Sequence, residues 1–293
     1  MLCLLLLLGA DPVSPEPLAV AGYLPSYRVA DWSADGAGPV TDVVAFQRTP
    51  GGDGSLPDGS LTAAMLDRLA ADCGRTGRRL SLCLGGWGHG DAFAKLVSDP
   101  VARSRLLDQL AALPINGVDI DWEYPQTDAE WSGLAVLLSE TKVRFPKWTV
   151  SIAVAPWKPI PSEVFDAADR VHLMSYDHAF PQATLPKTTA DIDRVLEWGC
   201  PAGKLLVGIP FYGRDADRQA TTYADLPPLR PSIDRTPDGI AFNGIDTVRA
   251  KVRLAAARSL GGIMIWELGQ DRRDDRSLLR AIDREINATP PAK

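Results

Sequence analysis

Asp119, Asp121 and Glu123 occupy alternate positions in the run Asn116-Gly117-Val118-Asp119-Ile120-Asp121-Trp122-Glu123-Tyr124-Pro125. In an extended chain, side chains two apart share a face. The three acids therefore form a row, while Val118, Ile120, Trp122 and Tyr124 point the other way. At a rise of ~3.3 Å per residue, neighbouring carboxyls start about 7 Å apart. Carboxylates that close, in a poorly hydrated place, do not all ionise, and one keeps a proton that another has given up. That is the equipment of a general acid and base. Two other readings fit the same residues. The row could be the solvated face of an edge strand, or it could offer oxygen ligands to a hard cation. Against the first, the row ends in Glu-Tyr-Pro, a strand-to-loop exit of the kind where functional residues gather. Against the second, the acids stand in line rather than around a point, and no histidine lies within the run. No metal and no cofactor is expected.

Such a row has to be held by neighbouring elements. Extended apolar runs over 18–24, 40–48, 79–86, 117–124, 149–155, 170–176, 205–211 and 262–267 read as strands. Stretches over 61–76, 103–113, 129–144, 190–198, 246–259 and 275–286 read as helices. Ser162 suits the cap of a further short helix, and Gly199 suits the stop of the helix before it. Eight strands with helices between them argue for a parallel sheet closed into a (β/α)8 TIM barrel. The alternative is an open doubly wound sheet, but no Gly-rich phosphate loop follows any strand. In a barrel the chemistry belongs at the C-terminal strand ends. The unusual residues gather there: Tyr23 after the first strand, Gly85, Gly86 and Trp87 after the third, Glu123 and Tyr124 after the fourth. Tyr176 and Asp177 end the sixth, Phe211, Tyr212 and Arg214 the seventh, and Trp266 and Glu267 the eighth.

The fourth-strand run resembles the signature Asp-x-x-Asp-x-Asp-x-Glu of the family 18 glycoside hydrolases, the chitinase family. Asp119, Asp121 and Glu123 match its last three acids, and Asn116 replaces the first. Cys83-Leu84-Gly85-Gly86 is similar to the family's Ser-x-Gly-Gly, with Cys for Ser, and Met174-Ser175-Tyr176-Asp177 to its Met-x-Tyr-Asp. The segments from Gly208 to Arg214 and from Gly261 to Trp266 resemble its seventh and last strands. The likeness covers about 18–286. It implies a retaining, substrate-assisted hydrolase of β-1,4-linked N-acetylglucosamine, with chitin or a related oligosaccharide as partner. Glu123 would be the proton donor, Asp121 its partner and Asp119 the acid behind them. Tyr176 would aim the substrate's acetamido oxygen, Asp177 would bind sugar, and Trp266 would floor the reacting ring. Tyr23, Gly86, Trp87, Tyr124, Met174, Tyr212 and Arg214 complete the expected binding surface. Many members carry a small α/β insertion between strands seven and eight. The stretch between Gly213 and Gly261 is too short for one, so a shallow groove is expected. Two other functions use the same residues: an endo-β-N-acetylglucosaminidase or cell-wall glycan hydrolase, and a non-catalytic sugar-binding lectin on the same barrel.

Composition narrows the setting. The chain has 293 residues, 45% hydrophobic and 23% charged, with a net charge of −6 and no long run of Lys or Arg. That argues against nucleic acid and anionic membrane as partners. One barrel over 18–287 accounts for the length, and a monomer is expected. Residues 1–17 read as a signal-like segment with a short linker, and 288–293 as a tail. The leucine run from Leu2 to Leu8 is too short to span a bilayer, so a secreted or envelope protein is expected. Cleavage would remove Cys3 and leave three cysteines, an odd number, so no essential disulfide is expected. Of the eight Trp, Trp148 and Trp198 read as core, whereas Trp87 and Trp266 read as sugar-facing. His89, His172 and His178 read as satisfied loop or core groups.

Overall fold

The computed structural model describes residues 17–288. The signal-like segment and the tail, but for Pro17 and Ala288, lie outside the described residues. The chain runs β1 (Ala19–Pro25), β2 (Asp42–Arg48), α1 (Ala63–Arg75), β3 (Arg79–Gly85), α2 (Gly90–Ser98) and α3 (Pro100–Ala111). It continues with β4 (Gly117–Asp121), α4 (Asp128–Arg144), β5 (Thr149–Val154), α5 (Ser162–Ala167), β6 (Arg170–Leu173) and α6 (Leu185–Glu197). The last part holds β7 (Leu205–Pro210), β8 (Tyr212–Arg214), β9 (Ala220–Thr222), α7 (Ile245–Ala257), β10 (Gly262–Trp266) and α8 (Leu278–Ala288). Eight strands close a parallel barrel in the order β1-β10-β7-β6-β5-β4-β3-β2, with β1 also paired to β2. The closed barrel holds and the open sheet is excluded. Strands β8 and β9 form a separate antiparallel pair.

Local chemistry explains most boundaries. Thr62 caps α1 by accepting the Met65 N–H, and α1 buries Leu66, Leu69 and Cys73. Burying a leucine contributes about 1.5–3 kcal/mol, so that face outweighs the cap in holding the helix. Thr127 and Glu130 make a reciprocal capping box at the start of α4. Gly199, at φ +97°, ends the turn after α6 as expected. Ser162 is not a cap: Pro161 precedes the helix, and Ser162 is its first residue with no capping bond. α6 begins five residues early, with Pro186 in its first turn. Helix α2 was not legible, because it opens on Gly90 without a side-chain cap. Packing holds it instead, with Phe93 stacked on Trp122 at 5.4 Å. Between β1 and β2 the chain makes two 3-10 turns, Ser26–Asp31 and Ala34–Gly36, rather than an α-helix.

Two strands are shorter than their sequence pattern. β4 ends at Asp121, whose last ladder partner is Gly85, and β6 ends at Leu173, opposite Val154. Glu123 and Tyr176 therefore stand on backbone that has left the ladder, where the strands diverge at the barrel mouth. Residues 211–261, between β7 and β10, hold only the β8–β9 pair, a 3-10 turn over Tyr223–Asp225 and α7. No α/β domain is inserted there.

Two cores result. An outer one lies between sheet and helices, and Trp148 and Trp198 pack against it as expected. The inner one fills the barrel with Tyr23, Val44, Cys83, Met174, Leu206 and Met264. At its N-terminal end, buried Asp42 accepts from Thr41 Oγ1 at 2.5 Å and pairs with Arg79 and with Arg170 at 2.8 Å. Burial raises the Asp42 carboxyl, but Arg79 and Arg170 outweigh it and hold the group below its ordinary range. In α7, Lys251 is wholly buried, and its Nζ has no hydrogen-bond partner among the described residues. Burial pulls its pKa from 10.5 to about 7, against the attraction of Asp234 and Asp191. Among the described residues no helix is long and apolar enough to cross a membrane.

Candidate active site

The acid row opens into the C-terminal mouth of the barrel. Asp119 is completely buried and Asp121 nearly so, whereas Glu123 is half-buried at the strand exit. Their surroundings push the three apart. Asp119 accepts from the Tyr23 hydroxyl at 2.7 Å and from Ser151 Oγ at 2.6 Å, and His172 Nδ1 lies 3.2 Å away. Burial raises its carboxyl, but His172, Ser151 and Tyr23 together win and keep Asp119 below the ordinary range. Asp121 has no such support. Its Oδ1 is buried without a partner among the described residues. Burial, then Glu123, then Asp119 push its carboxyl far up. Glu123 is also raised, first by burial and further by Asp177, against a hydrogen bond from Tyr124 that favours the carboxylate. The Tyr124 hydroxyl donates to Glu123 Oε2 at 2.9 Å. A carboxyl held down at the foot and two pushed up above it form a graded row.

Around the row stand the other expected residues. Gly85 and Gly86 have φ of +111° and +97°, a region that favours glycine. A Cβ on Gly86 would fall 2.4 Å from Gln47 Oε1, and the Gly86 N–H donates to the Asp121 carbonyl at 2.8 Å. Gly86 thus serves the site through its backbone, by clamping the end of β4. Trp266 is wedged edge-to-face against Phe46 at 4.7 Å and tilted against Tyr23 at 5.6 Å. Glu267, wholly buried, pairs with Arg28 at 3.2 Å and accepts the Gly269 N–H, which fixes the loop behind that indole. Tyr176 and Met174 are buried beside Met264 and Tyr212. The Tyr176 hydroxyl lies 3.9 Å from the Met264 sulfur, a weak acceptor that leaves it open to a better one. Asp177 is held in the left-handed region, φ 57°. It accepts from Tyr212 at 2.6 Å and from Arg214 at 2.5 and 3.0 Å.

Trp87 stands apart from this cluster, 76% exposed on the rim. Asn116, at the far end of β4, accepts the Leu80 N–H at 2.7 Å and joins strands rather than acids. His178 is satisfied: its Nδ1 accepts the Ala183 N–H and its Nε2 donates to Asp191 at 2.7 Å. Sequence reasoning missed Phe46, Ser151 and the role of His172. All three stand on inward faces of β2, β5 and β6, so period-two alternation along those strands carried a signal for them. It also missed Trp157, 52% exposed and edge-on to Tyr124 at 6.4 Å. Cys73, Cys83 and Cys200 are buried and free. Burial and then Asp119 raise the Cys83 thiol, which lies beside the row.

Comparison with known proteins agrees with this geometry. The family model described as glycosyl hydrolases family 18 matches residues 63–271. Over 298 aligned positions the chain is 26% identical to probable chitinase 10 of Drosophila melanogaster, an alignment covering 72% of this chain and 13% of that protein. The structure superposes on a chitinase from Bacteroides thetaiotaomicron with a TM-score of 0.81 at 21% identity, covering 92% of this chain and 97% of that one. It superposes on a chitinase-like agglutinin from Robinia pseudoacacia at 0.76 and 22%, covering 91% and 99%. At such identities the structural likeness speaks for the fold alone.

Proposed function

The chain belongs to glycosyl hydrolases family 18, and from that premise we propose that it cleaves β-1,4-linked N-acetylglucosamine chains with retention, using the substrate's own acetamido group as nucleophile. The observation that carries this reading is the graded row. Asp121 keeps a buried oxygen unpartnered among the described residues, next in the row to a Glu123 whose carboxyl burial and Asp177 push up. Asp177, which also faces Glu123, is engaged by Tyr212 and Arg214, and a proton donor with no free carboxylate opposite it among the described residues suits a reaction in which the substrate supplies the nucleophile.

In the first step the acetamido carbonyl oxygen attacks the anomeric carbon while Glu123 protonates the departing glycosidic oxygen. The carbon–oxygen bond to the leaving sugar breaks, and an oxazolinium ion remains. Asp121 accepts the acetamido N–H and, once its proton has passed to Asp119, offsets the positive charge of the ion. The open Tyr176 hydroxyl donates to the acetamido oxygen and aims it, and Trp266 supports the ring face. Water then attacks the same carbon, Glu123 takes its proton, and the acetamido group is released with the original configuration. The raised Glu123 carboxyl sets the pH behaviour. The acid is present while the pH lies below its pKa and is lost as the pH rises through it. A polymer of this kind is met outside the cytoplasm, in keeping with the signal-like start.

The test is release of chromophore from chitobiose and chitotriose glycosides, with Glu123→Gln in parallel. Removing a general acid costs about 10²–10⁴-fold, so the variant should be nearly inactive while still binding sugar. Sugar binding without release by the wild type would make the chain a lectin of the agglutinin type.

A further inference from the structure

The reading of Glu123 as the acid leaves the buried histidine beside the row without a role. His172 lies in β6 on the inward face, 2% exposed, directly under the acid row. Its Nδ1 is 2.9 Å from the Tyr23 hydroxyl and 3.2 Å from Asp119 Oδ1. Its Nε2 is buried and has no partner among the described residues. The network assigns the ring. Tyr23 donates its proton to Asp119 Oδ2, so its oxygen is free to accept, and Nδ1–H can serve both that oxygen and Asp119 Oδ1. The orphaned Nε2 is then a bare lone pair, which costs less to bury than an orphaned N–H. His172 is too deep to meet substrate, and Asp119 is its one carboxylate neighbour at hydrogen-bond range.

We propose that His172 is a positioning residue that, with Tyr23 and Ser151, keeps Asp119 ionised at the foot of the row, so that the proton shared by the row stays on Asp121. The charge on Asp119 repels charge on Asp121, and Asp121 repels charge on Glu123. His172 thereby acts on the acid two steps away without touching it. The other groups facing the ring do not compete for this role. On β1 there is Tyr23, whose phenol is kept protonated by burial and by Asp119. On β3 there is Cys83, likewise kept protonated. β7 and β10 present Leu206 and Met264. Arg170, two residues earlier on the same face of β6, is engaged with Asp42 at the opposite end of the barrel.

The inference rests on the hydrolase reading for its consequence, so the test joins a measurement that needs no turnover to one that does. Carboxyl carbons are followed by 13C NMR in Asp-labelled protein, with Asp119→Asn to assign the Asp119 signal. In the wild type Asp119 should remain ionised below the ordinary aspartate range. In His172→Leu its titration should move up and that of Asp121 down. His172→Asn, which can keep one N–H toward Asp119, should stay near the wild type. Should the leucine variant fail to fold, Tyr23→Phe removes the other strong donor and should move Asp119 in the same direction, with His172→Asn again unmoved. In the chromogenic assay, His172→Leu should lower kcat roughly tenfold or more with KM little changed. The alkaline limb of kcat/KM should move to higher pH, because an Asp121 that ionises earlier makes Glu123 hold its proton longer. An unmoved Asp119 titration in the leucine variant, or in Tyr23→Phe where that variant stands in, would overturn the inference. So would a rise in KM with kcat unchanged. Absence of wild-type turnover would instead defeat the hydrolase reading, while the carbon titrations would still decide where the charge sits.

Discussion

Lys251→Met should stabilise the protein, and the gain should depend on pH. The fall of the Lys251 pKa from 10.5 to about 7, at about 1.4 kcal/mol per pH unit, makes the buried ammonium cost up to about 5 kcal/mol. The sign comes from proton counting. Between those two values the unfolded chain holds a proton that the folded chain has shed, so wild-type stability rises with pH across that window. Below pH 7 both states are protonated and the penalty is full, and above 10.5 it has gone. Methionine has similar length and no polar head, so it leaves no orphan. The two nearby acids keep other partners. Asp191 accepts from Ser175, His178 and Arg194, and Asp234 accepts from Gly244 and Thr247. Part of the gain is offset by repacking, so about 2–5 kcal/mol is expected near neutrality, or roughly 4–10 °C in Tm for a chain of this size. Thermal unfolding at pH 6.5 and at pH 10 measures it. A destabilised variant, or an equal gain at both pH values, would refute the reasoning.

Two further outcomes concern the mouth of the barrel. Tyr124→Phe removes the hydroxyl that favours the Glu123 carboxylate, so the alkaline limb of kcat/KM should move to higher pH, the same direction as expected for His172→Leu but with the Asp119 and Asp121 titrations unmoved. An unmoved limb would show that the Tyr124 hydrogen bond does not set the acid. Trp157→Ala should lower kcat/KM about 3–10-fold on chitotriose and longer glycosides and less on chitobiose, since stacking on an aromatic face is worth about 0.5–1.5 kcal/mol. Equal losses on all lengths would place Trp157 against Tyr124 alone.

Alternation along single strands was legible because it is local. It put Asp119 and Asp121 on one face, and the same period along β5 and β6 would have set Ser151 and His172 inward. What it could not supply is which inward groups meet. Tyr23 and Asp119 are 96 residues apart, and Tyr23 and His172 are 149 apart, so their hydrogen bonds exist only once the barrel has closed. The same limit explains Glu123 and Tyr176. Period-two patterning continues past the last ladder bond, so the strands read longer than β4 and β6 are. Helix α2 was hidden for the converse reason, since Gly90 gives no local start and tertiary stacking of Phe93 on Trp122 holds the segment. Trp87 was read as sugar-facing from its place at a C-terminal strand end, and it is 76% exposed there.

Closure through β1 and β10 also orders the protein's birth. The strand with Tyr23 is made first and the strand with Trp266 nearly last, yet the two are paired neighbours. A chain still in synthesis holds the acid row long before it has the aromatic floor. Until β10 emerges, β1 presents an unpaired edge and the interior polar groups face water. The site around the acid row is therefore completed in one late event rather than strand by strand. A product truncated before residue 262 would carry its acids without a ring to set them against, and would expose two open strand edges to other chains.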